Sequence, residues 1–386
     1  MQTLLGRHID LHETFTINVE EGRIAGMDVQ QNPDPFISDF VLPEVDPSLP
    51  IIAPGLIDLQ VNGYKGVDFN DASLNDEGIH TIVHALLAQG ITSFYPTIIT
   101  NDPAFINQQL QKIRQACEGS SLIRSCIAGV HLEGPFISLL EGPLGAHDRR
   151  YVRAPDKNLM AGFLETGLVR IITLSPEWPE APEFISWCVD QGITVSIGHT
   201  AASSEQISRA VDAGASMSTH LGNAAHQMLP RHPNYIWDQL ANDALAAGFI
   251  GDGFHLPDSV IRTIIRMKGN RAIMVSDSVC LAGQAPGVYT TPVGGKVVLS
   301  EEGRLSLADN PAALAGSAQN LFEGVKTLVR KGICSLEEAW KLASSNPAKE
   351  MWLPFALSPG APADLVLLDD RDGIKILDVY KNGEKI

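Results

Sequence analysis

Residues 193–220, ITVSIGHTAASSEQISRAVDAGASMSTH, decide the fold. The segment opens with a short run of β-branched and apolar residues, Thr194–Ile197, and closes with a second run of strand length, Ser216–Thr219. The stretch Ser203–Ala213 between them has a capping serine at its start, apolar residues at helical spacing and a glycine after its end. This order of strand, helix and strand predicts a βαβ unit with two parallel strands.

The same alternation continues along the middle of the chain. Strands are predicted at Leu56–Val61, Thr92–Pro96, Ile127–Leu132, Arg170–Leu174, Thr194–Ile197, Ser216–Thr219, Gly248–Gly251 and Ala272–Ser276. Helices are predicted at Glu77–Gln89, Pro103–Cys117, Pro182–Asp190, Ser203–Ala213 and Pro257–Met267. Apolar strands that alternate with helices indicate a parallel sheet covered on both faces. Eight such units over roughly 220 residues match the span of a (β/α)8 barrel.

Both ends of the chain are rich in strand-forming residues instead. Phe15–Val19 and Arg23–Val29 have strand character, and residues 363–386, ADLVLLDDRDGIKILDVYKNGEKI, consist of short strands and turns. We expect the two ends to pair into one small β-sandwich; two independent edge hairpins are the alternative. The expected division of the chain is residues 1–52 and 356–386 for the small β domain and residues 53–355 for the barrel.

The composition excludes several classes of protein. The 28 Lys and Arg against 45 Asp and Glu give a net charge of −17 over 386 residues. Phosphate backbones and anionic lipids repel such a chain, which argues against a nucleic acid or a membrane as partner. We expect no signal peptide, and the sequence has no apolar run long enough to span a membrane. The five cysteines are scattered without a CxxC pattern, which favours a reduced, cytoplasmic protein.

Four ionisable residues directly follow apolar runs of the predicted strands. Glu133 ends IAGVHLE, His199 ends ITVSIGH, His220 ends ASMSTH and Asp277 ends AIMVSD. In barrels, residues at the carboxyl ends of the strands face a common site. One carboxylate and two imidazoles suit zinc or a related divalent ion, with a position left open for water and Asp277 beside it as general base.

Each assignment has a structural alternative. A lone histidine at a strand end is more often hydrogen-bonded structure than a ligand, and Glu133 could cap the following helix. Four such groups together favour the metal site, because a buried charge is costly unless it is paired or bound to metal.

Further residues are candidates for substrate contact or support. His131, two residues before Glu133, would lie on the same side of its strand and could support the site. His147 follows the loop LLEGPLGAHD and suits a residue that reaches over a substrate. Arg231 and His255 could supply positive charge for an anionic substrate, although Arg231 could equally be an ordinary surface arginine. P-loop, GxGxxG and GxSxG motifs are missing, so nucleotide-cofactor and serine-hydrolase functions lack support.

A resemblance to a known family rests on the same residues. The motifs APGLIDLQVNG, GVHLEGPFI, GHT, STHLGNAAH, GDGFHLP, MVSDS and LAGS resemble, in this order, the N-acetylglucosamine-6-phosphate deacetylase family of the amidohydrolase superfamily. The resemblance extends from about residue 50 to about residue 350. It implies a distorted (β/α)8 barrel, a small β-sandwich built from both termini, and a homodimer.

The resemblance also implies roles for individual residues. Glu133, His199 and His220 would be the metal ligands and Asp277 the acid/base, while His147 would polarise the substrate carbonyl. The substrate-binding residues would be Ala146, His147, Asn223, Ala224, Arg231, His255, Leu314, Ala315 and Gly316. One divalent metal per chain is expected, with zinc preferred and iron or another divalent ion as the alternative.

One departure from the superfamily concerns metal stoichiometry. In many members the first barrel strand ends in His-x-His, which holds a second metal, whereas this chain has Gln60-Val61-Asn62. Amides are poor zinc ligands, so the resemblance is to the branch with a single metal. The segment 222–238 and the loop between Glu133 and His147 also differ from the family pattern.

The activity implied is metal-dependent removal of the acetyl group from N-acetylglucosamine 6-phosphate in amino-sugar metabolism. The products would be glucosamine 6-phosphate and acetate. Another N-acyl amino sugar, an N-acyl amino acid or a cyclic amide is the alternative substrate. A metal-binding scaffold without activity is a third hypothesis, and Asp277 argues against it because a scaffold has no use for an unligated carboxylate beside an open metal position.

Overall fold

The structure, a computed structural model, describes residues 1–10, 13–29, 46–291, 295–354 and 357–386. Its strands, in chain order, are β1 (Gln2–His8), β2 (Thr14–Glu20), β3 (Arg23–Val29), β4 (Ile51–Pro54), β5 (Leu56–Val61), β6 (Gly63–Tyr64), β7 (Val67–Asp68), β8 (Ile91–Ile99), β9 (Val130–Glu133), β10 (Val169–Leu174), β11 (Thr194–Ile197), β12 (Met217–Ser218), β13 (Ala246–Ile250), β14 (Ala272–Val275), β15 (Gly287–Thr291), β16 (Gly295–Leu299), β17 (Leu305–Leu307), β18 (Leu365–Asp369), β19 (Lys375–Lys381) and β20 (Glu384–Lys385). Its α-helices are α1 (Asp76–Leu87), α2 (Pro103–Gly119), α3 (Ser121–Cys126), α4 (Lys157–Leu164), α5 (Ala181–Asp190), α6 (Ser204–Asp212), α7 (Tyr235–Ala241), α8 (Asp258–Lys268), α9 (Leu321–Arg330), α10 (Leu336–Leu342) and α11 (Ser345–Glu350). Among these helices, none is both long enough and apolar enough to cross a membrane.

Eight parallel strands form a sheet that is almost closed into a barrel. The order is β14-β13-β12-β11-β10-β9-β8-β5, and a bridge between Val61 and Ser278 joins its two edges. Each of the eight predicted strands corresponds to one of these strands. The opening segment forms the expected unit, because β11 pairs in parallel with β12 and Ser203 caps α6 in a capping box with Gln206. The predicted barrel is confirmed.

Side chains inside the barrel change from apolar to polar toward the site. An apolar cluster fills much of the interior; its buried members are Ile57, Leu59, Tyr95, Ile171, Met217, Ala246, Ile250, Ile273, Val275 and Ala348. The outer faces of the strands pack against the helices in a larger apolar core. Toward the carboxyl ends of β9 to β12, buried polar side chains replace the apolar ones: His131, Thr173, Ser196 and Thr219. The site therefore lies above a polar layer of the interior.

The two chain ends share one seven-stranded sheet with the order β20-β19-β18-β4-β1-β2-β3. Strand β4 joins the two halves, since it pairs in parallel with β1 and antiparallel with β18. The sheet curls over its own core, because a Cβ on Gly383 would lie 2.7 Å from the side chain of Val19, several strands away along the sheet. The core consists of Leu4, Phe15, Ile17, Val19, Ile24, Ile52, Ala363, Leu365, Leu367 and Tyr380. The prediction that both chain ends form one small β domain is confirmed, and the alternative of two independent edge hairpins is wrong.

The numerical limits of the domains stay a prediction. The expected boundary between residues 52 and 53 falls inside β4, and the one between 355 and 356 lies outside the described residues. The antiparallel sheet β15-β16-β17 between β14 and α9 was not predicted from the sequence. Its first strand has no fully buried residue, so it lacks the apolar run by which the barrel strands were predicted.

Side-chain hydrogen bonds reinforce the seam between β5 and β14. Asp58 Oδ1 accepts from the backbone N–H of Ser276 at 3.1 Å and of Gln60 at 3.3 Å. Ser276 Oγ donates back to the carbonyl oxygen of Gln60 at 3.2 Å. Asp58 is completely buried, and burial raises its pKa to about 7. Its second oxygen, Oδ2, has no hydrogen-bond partner among the described residues.

The Asp58→Asn variant should keep the seam closed and flatten the pH dependence of stability. The amide oxygen can accept both N–H groups, and the amide carries no charge. Because folding raises the pKa of Asp58 from 3.8 to about 7, its stabilisation is complete below pH 3.8 and is lost as pH rises to about 7. Relative to Asp58→Asn, the wild-type free energy of unfolding should fall over this window by up to about 4 kcal/mol.

Urea unfolding with a chelator present, at several pH values between 4.5 and 7.5, measures this difference. Asp58→Ala is the control that removes the acceptor; it should be less stable than Asp58→Asn by about 1–3 kcal/mol, since two buried N–H groups lose their partner. Parallel pH profiles for wild type and Asp58→Asn would contradict the assignment.

Candidate functional site

Three of the predicted residues converge over the barrel. Glu133 is the last residue of β9, and His199 and His220 each lie two residues beyond the ends of β11 and β12. Oε1 of Glu133 is 3.0 Å from Nε2 of His199 and 3.0 Å from Nε2 of His220. The two Nε2 atoms are 3.2 Å apart, and all three side chains are buried. Their three ligand atoms lie close enough together to hold one metal ion.

The backbone turns sharply where the strands deliver these side chains. His199, His220 and Asp277 have φ angles of 49°, 29° and 48°, in the left-handed region that non-glycine residues seldom adopt. Such conformations cost about 1–3 kcal/mol each and persist only where the surrounding structure imposes them. Three strained residues at the ends of three barrel strands therefore mark this end as a functional site.

The geometry around Glu133 fits a cation. Nδ1 of His199 donates to the carbonyl oxygen of Pro143 at 2.8 Å, because a carbonyl can only accept. In the neutral form of this ring, Nε2 would direct its lone pair at the carboxylate oxygen, and two lone pairs repel each other unless a proton or a cation lies between them. Imidazole nitrogen and carboxylate oxygen are both common zinc ligands. The donor set therefore suits a divalent metal.

The charge of Glu133 is consistent with a ligand role. Burial by itself would raise the pKa of this carboxyl group, but the imidazoles of His199 and His220 outweigh burial and hold the pKa well below its usual range. Burial would lower the pKa of His220, whereas its hydrogen bond to Glu133 raises it. Nδ1 of His220 is buried and has no partner within the described ranges.

Asp277 lies beside this cluster, two residues beyond β14. Burial and, to a lesser extent, the charge of Glu133 raise the pKa of Asp277 to about 6, although His220 and His255 oppose the shift. Nδ2 of Asn62 donates to Oδ1 of Asp277 at 2.8 Å. A carboxylate that titrates near neutral pH can both accept and return a proton, as a general acid/base must.

Two amides of the first barrel strand contact the two carboxylates of the site. Nε2 of Gln60 donates to Oε1 of Glu133 at 3.0 Å, just as Asn62 donates to Asp277. The sequence marked both positions only as lacking the two histidines that hold a second metal in many members of the superfamily. Their role as hydrogen-bond donors was not predicted, although the spacing of two residues at a strand end would have placed both side chains on the barrel side.

His147 also contacts the cluster. Its Nε2 is 3.3 Å from Nε2 of His199, and the two rings meet edge to face with centroids 4.3 Å apart. Burial, followed by the charge of His199, lowers the pKa of His147 to about 3, so the ring is neutral at physiological pH. Ala146 precedes it as an exposed residue.

Three further candidates lie near strand ends. Asn223 follows His220 in a tight turn and donates its backbone N–H to the carbonyl of His220 at 2.9 Å; Ala224 comes next, with a φ of 45°. His255 is held through Nδ1 by Oδ2 of Asp252 at 2.7 Å. Asp252 was not predicted, although the motif GDGFHLP contains it.

The remaining predicted residues occupy two separate segments. Leu314, Ala315 and Gly316 precede Ser317, which bridges to Ser278, the residue that follows Asp277. Arg231 is exposed, and its guanidinium forms no hydrogen bond or ion pair with any described residue. The structure therefore does not bring Arg231 into contact with the cluster.

His131 lies below the cluster rather than in it. Its ring is buried and hydrogen-bonded to Leu59 and Thr173, and burial lowers its pKa. The structure thus places this histidine on the predicted side of β9, with partners in the barrel interior.

Comparison with known proteins agrees with this geometry. Residues 51–386 match the amidohydrolase family. The chain is 32% identical over 360 residues to the N-acetylglucosamine-6-phosphate deacetylase of Bacillus subtilis, covering 91% of this chain and 88% of that protein. The crystal structure of N-acetyl-D-glucosamine-6-phosphate deacetylase from Mycobacterium smegmatis superposes with a TM-score of 0.85 at 26% identity and covers 100% of both chains. A mutant of that protein in complex with N-acetyl-D-glucosamine-6-phosphate gives a TM-score of 0.84, at 26% identity, over 100% of this chain and 99% of that one.

The amides of Gln60, in β5, and of Asn62, directly after it, should have separable effects. Gln60→Ala removes a donor to Glu133 and should weaken Zn²⁺ binding about tenfold, because partners that orient a ligand typically contribute 10–100-fold to metal affinity. Asn62→Ala is the matched control, since its partner is Asp277 rather than a ligand; its Zn²⁺ affinity should stay within about twofold of wild type. Competition against a chromogenic chelator measures both, and unchanged affinity in Gln60→Ala would contradict the assignment.

Proposed function

This chain belongs to the amidohydrolase family, and we propose that it removes the acetyl group from N-acetylglucosamine 6-phosphate, giving glucosamine 6-phosphate and acetate. The enzyme is a metal-dependent amide hydrolase. The observation that carries the proposal is the buried cluster of Glu133, His199 and His220 with Asp277 beside it. The similarity to deacetylases of this substrate, over nearly the whole chain, supports the choice of sugar.

We assign one divalent metal ion per chain to Glu133, His199 and His220. Zinc suits these ligands best, and iron or another divalent ion is the alternative. Gln60 and Asn62 support a single ion, because each turns an N–H toward a carboxylate and so is not placed as a ligand. When bound, the ion supplies Lewis acidity, which activates water and polarises the acetyl carbonyl.

Asp277 moves the proton in the proposed reaction. It accepts a proton from water as the water oxygen bonds to the acetyl carbonyl carbon, and Asn62 holds the carboxylate in place meanwhile. Asp277 then returns this proton to the amide nitrogen as the C–N bond breaks. The nitrogen leaves as an amine and the acyl group as acetate. The neutral His147 has one N–H available to stabilise the developing oxyanion.

Substrate recognition is assigned to the loops around the site. We place the sugar phosphate against Ala146, Asn223, Ala224, Arg231 and His255, and the acetyl group against Leu314, Ala315 and Gly316. Two observations support this. Asp252 holds the imidazole of His255 in one orientation, and Arg231 has no ionic partner within the described residues, so its charge is available for an anion.

We further propose a cytoplasmic homodimer that acts in amino-sugar metabolism. Free cysteines support a reducing compartment, since none of the five is in a disulfide. Exposed apolar side chains at Met228 and Trp237 offer surface that a second copy could cover. Size-exclusion chromatography with light scattering measures the oligomeric state.

Acetate release by purified protein tests the proposed function. N-acetylglucosamine 6-phosphate should be hydrolysed far faster than unphosphorylated N-acetylglucosamine. Equal rates on the two sugars would show that phosphate is not recognised, and acetate from neither would favour an N-acyl amino acid or a cyclic amide as substrate.

Asp277→Asn should separate metal binding from turnover. The variant should keep its metal, because Asp277 is not a ligand, and should lose about 10²–10⁴-fold in kcat, the usual contribution of a general acid/base. His199→Ala should lose metal and activity together. Metal analysis and acetate release on the same preparations measure both quantities; near-normal turnover in Asp277→Asn would exclude it as the proton carrier.

Arg231→Ala should discriminate between the two sugars. A charged hydrogen bond to phosphate contributes about 1.5–3 kcal/mol, so KM for the phosphorylated sugar should rise about 10–150-fold, while kcat/KM for the unphosphorylated sugar stays unchanged. Arg209→Ala, which removes another exposed arginine, is the control and should behave as wild type. An unchanged KM in Arg231→Ala would make this residue an ordinary surface arginine.

A further inference from the structure

A row of four buried polar side chains crosses the barrel below the ligand cluster. Nδ1 of His131 lies 3.0 Å from the carbonyl oxygen of Leu59, and its Nε2 lies 2.7 Å from Oγ1 of Thr173. Oγ1 of Thr173 is 2.6 Å from Oγ1 of Thr219, which is 2.6 Å from Oγ of Ser196. All four side chains are at most 5% exposed. The reaction described above uses none of them.

This row connects the strands that carry the ligands. His131 lies on β9, two residues before the ligand of that strand, and Ser196 lies on β11, three residues before its ligand. Thr219 directly follows β12 and directly precedes the third ligand. Thr173 lies on β10, which carries no ligand and separates β9 from β11 in the sheet. The row therefore spans the gap that β10 introduces between the ligand-bearing strands.

The hydrogen bonds of the row run in one direction. The carbonyl of Leu59 can only accept, so Nδ1 of His131 carries the proton, and the neutral ring accepts at Nε2 from Thr173. The Thr173 oxygen then accepts from Thr219, whose own oxygen accepts from Ser196. Loss of the Thr173 hydroxyl would leave a buried acceptor on one side and a buried donor on the other without a partner.

Gly198 shows how closely the backbone packs on this row. It directly precedes His199, and a Cβ at this position would lie 2.8 Å from Cγ2 of Thr173 and 2.8 Å from Cβ of Thr219. Only glycine allows a main chain to approach side chains this closely. The end of β11, and with it His199, thus rests directly on the two threonines.

We propose that His131, Thr173, Ser196 and Thr219 are positioning residues that set the spacing of Glu133, His199 and His220 before the metal binds. A ligand set held at its working distances loses less freedom on binding, which raises metal affinity. The inference rests on the proposed metal site and is independent of which substrate the enzyme hydrolyses.

Thr173→Val tests the proposal, because it keeps the shape of the side chain and removes the hydroxyl. Zn²⁺ affinity, measured by chelator competition without any sugar, should fall about 10–100-fold. Thr173→Ser restores the hydroxyl and should bind within about threefold of wild type. Thr92→Val is the matched control: Thr92 is equally buried, 1% exposed, near the start of β8 at the other end of the barrel, and its affinity should be unchanged.

The Tm of each metal-free protein separates positioning from stability. Thr173→Val should lose affinity even where its metal-free Tm equals that of Thr92→Val. If Thr173→Val does not fold, Ser196→Ala replaces it, because it removes only the last hydrogen bond of the row; its affinity should fall about threefold or more.

Wild-type affinity in a folded Thr173→Val, or in Ser196→Ala where that variant is needed, would overturn the proposal, as would an equal loss in Thr173→Ser. Failure of the wild-type protein to release acetate would count against the proposed function alone, since the metal measurement contains no substrate.

Discussion

The buried carboxylate of Glu133, whose Oε1 lies 3.0 Å from Nε2 of both His199 and His220, is the group on which the site depends. An isolated buried charge costs far more than a fold of ordinary stability can supply, so it must be paired, hydrogen-bonded or bound to metal. Glu133 has its two imidazoles and the amide of Gln60. A metal ion would complete this set by binding the lone pairs that the carboxylate and the neutral imidazoles otherwise direct at one another.

The barrel supplies this arrangement at a conformational cost. His199, His220 and Asp277 all adopt left-handed backbone conformations, which the chain tolerates only because neighbouring contacts impose them. Apolar packing fixes the lower barrel, and the polar row above it links the strand ends. The same scaffold places Asp277 close enough to Glu133 for their charges to interact, which helps to raise the pKa of Asp277 to about 6. Metal binding and proton transfer are therefore consequences of one electrostatic arrangement.

Much of the barrel and of the ligand cluster could be predicted from the sequence, for a physical reason. Barrel strands are buried on both faces, so they stand out as apolar runs, and residues such as Glu133 and His199 are conspicuous because they end such runs. The sequence could not predict which side chains form hydrogen bonds across the barrel. Such contacts join residues that are distant in sequence, and no local pattern encodes them; examples are Gln60–Glu133, Asn62–Asp277 and Thr173–Thr219. For loops the sequence is less informative: Arg231 is exposed and does not contact the cluster, so its role in phosphate binding stays a prediction.

The metal content of the purified enzyme shows whether Glu133, His199 and His220 hold one ion per chain. The chain is stripped with a chelator, reloaded with excess Zn²⁺, freed of unbound ion and analysed by mass spectrometry, in parallel with His220→Ala. We expect about one tightly held ion per wild-type chain, bound by three protein ligands with one position open, and almost none in His220→Ala. Two tightly held ions per wild-type chain, or full metal content in His220→Ala, would contradict this expectation.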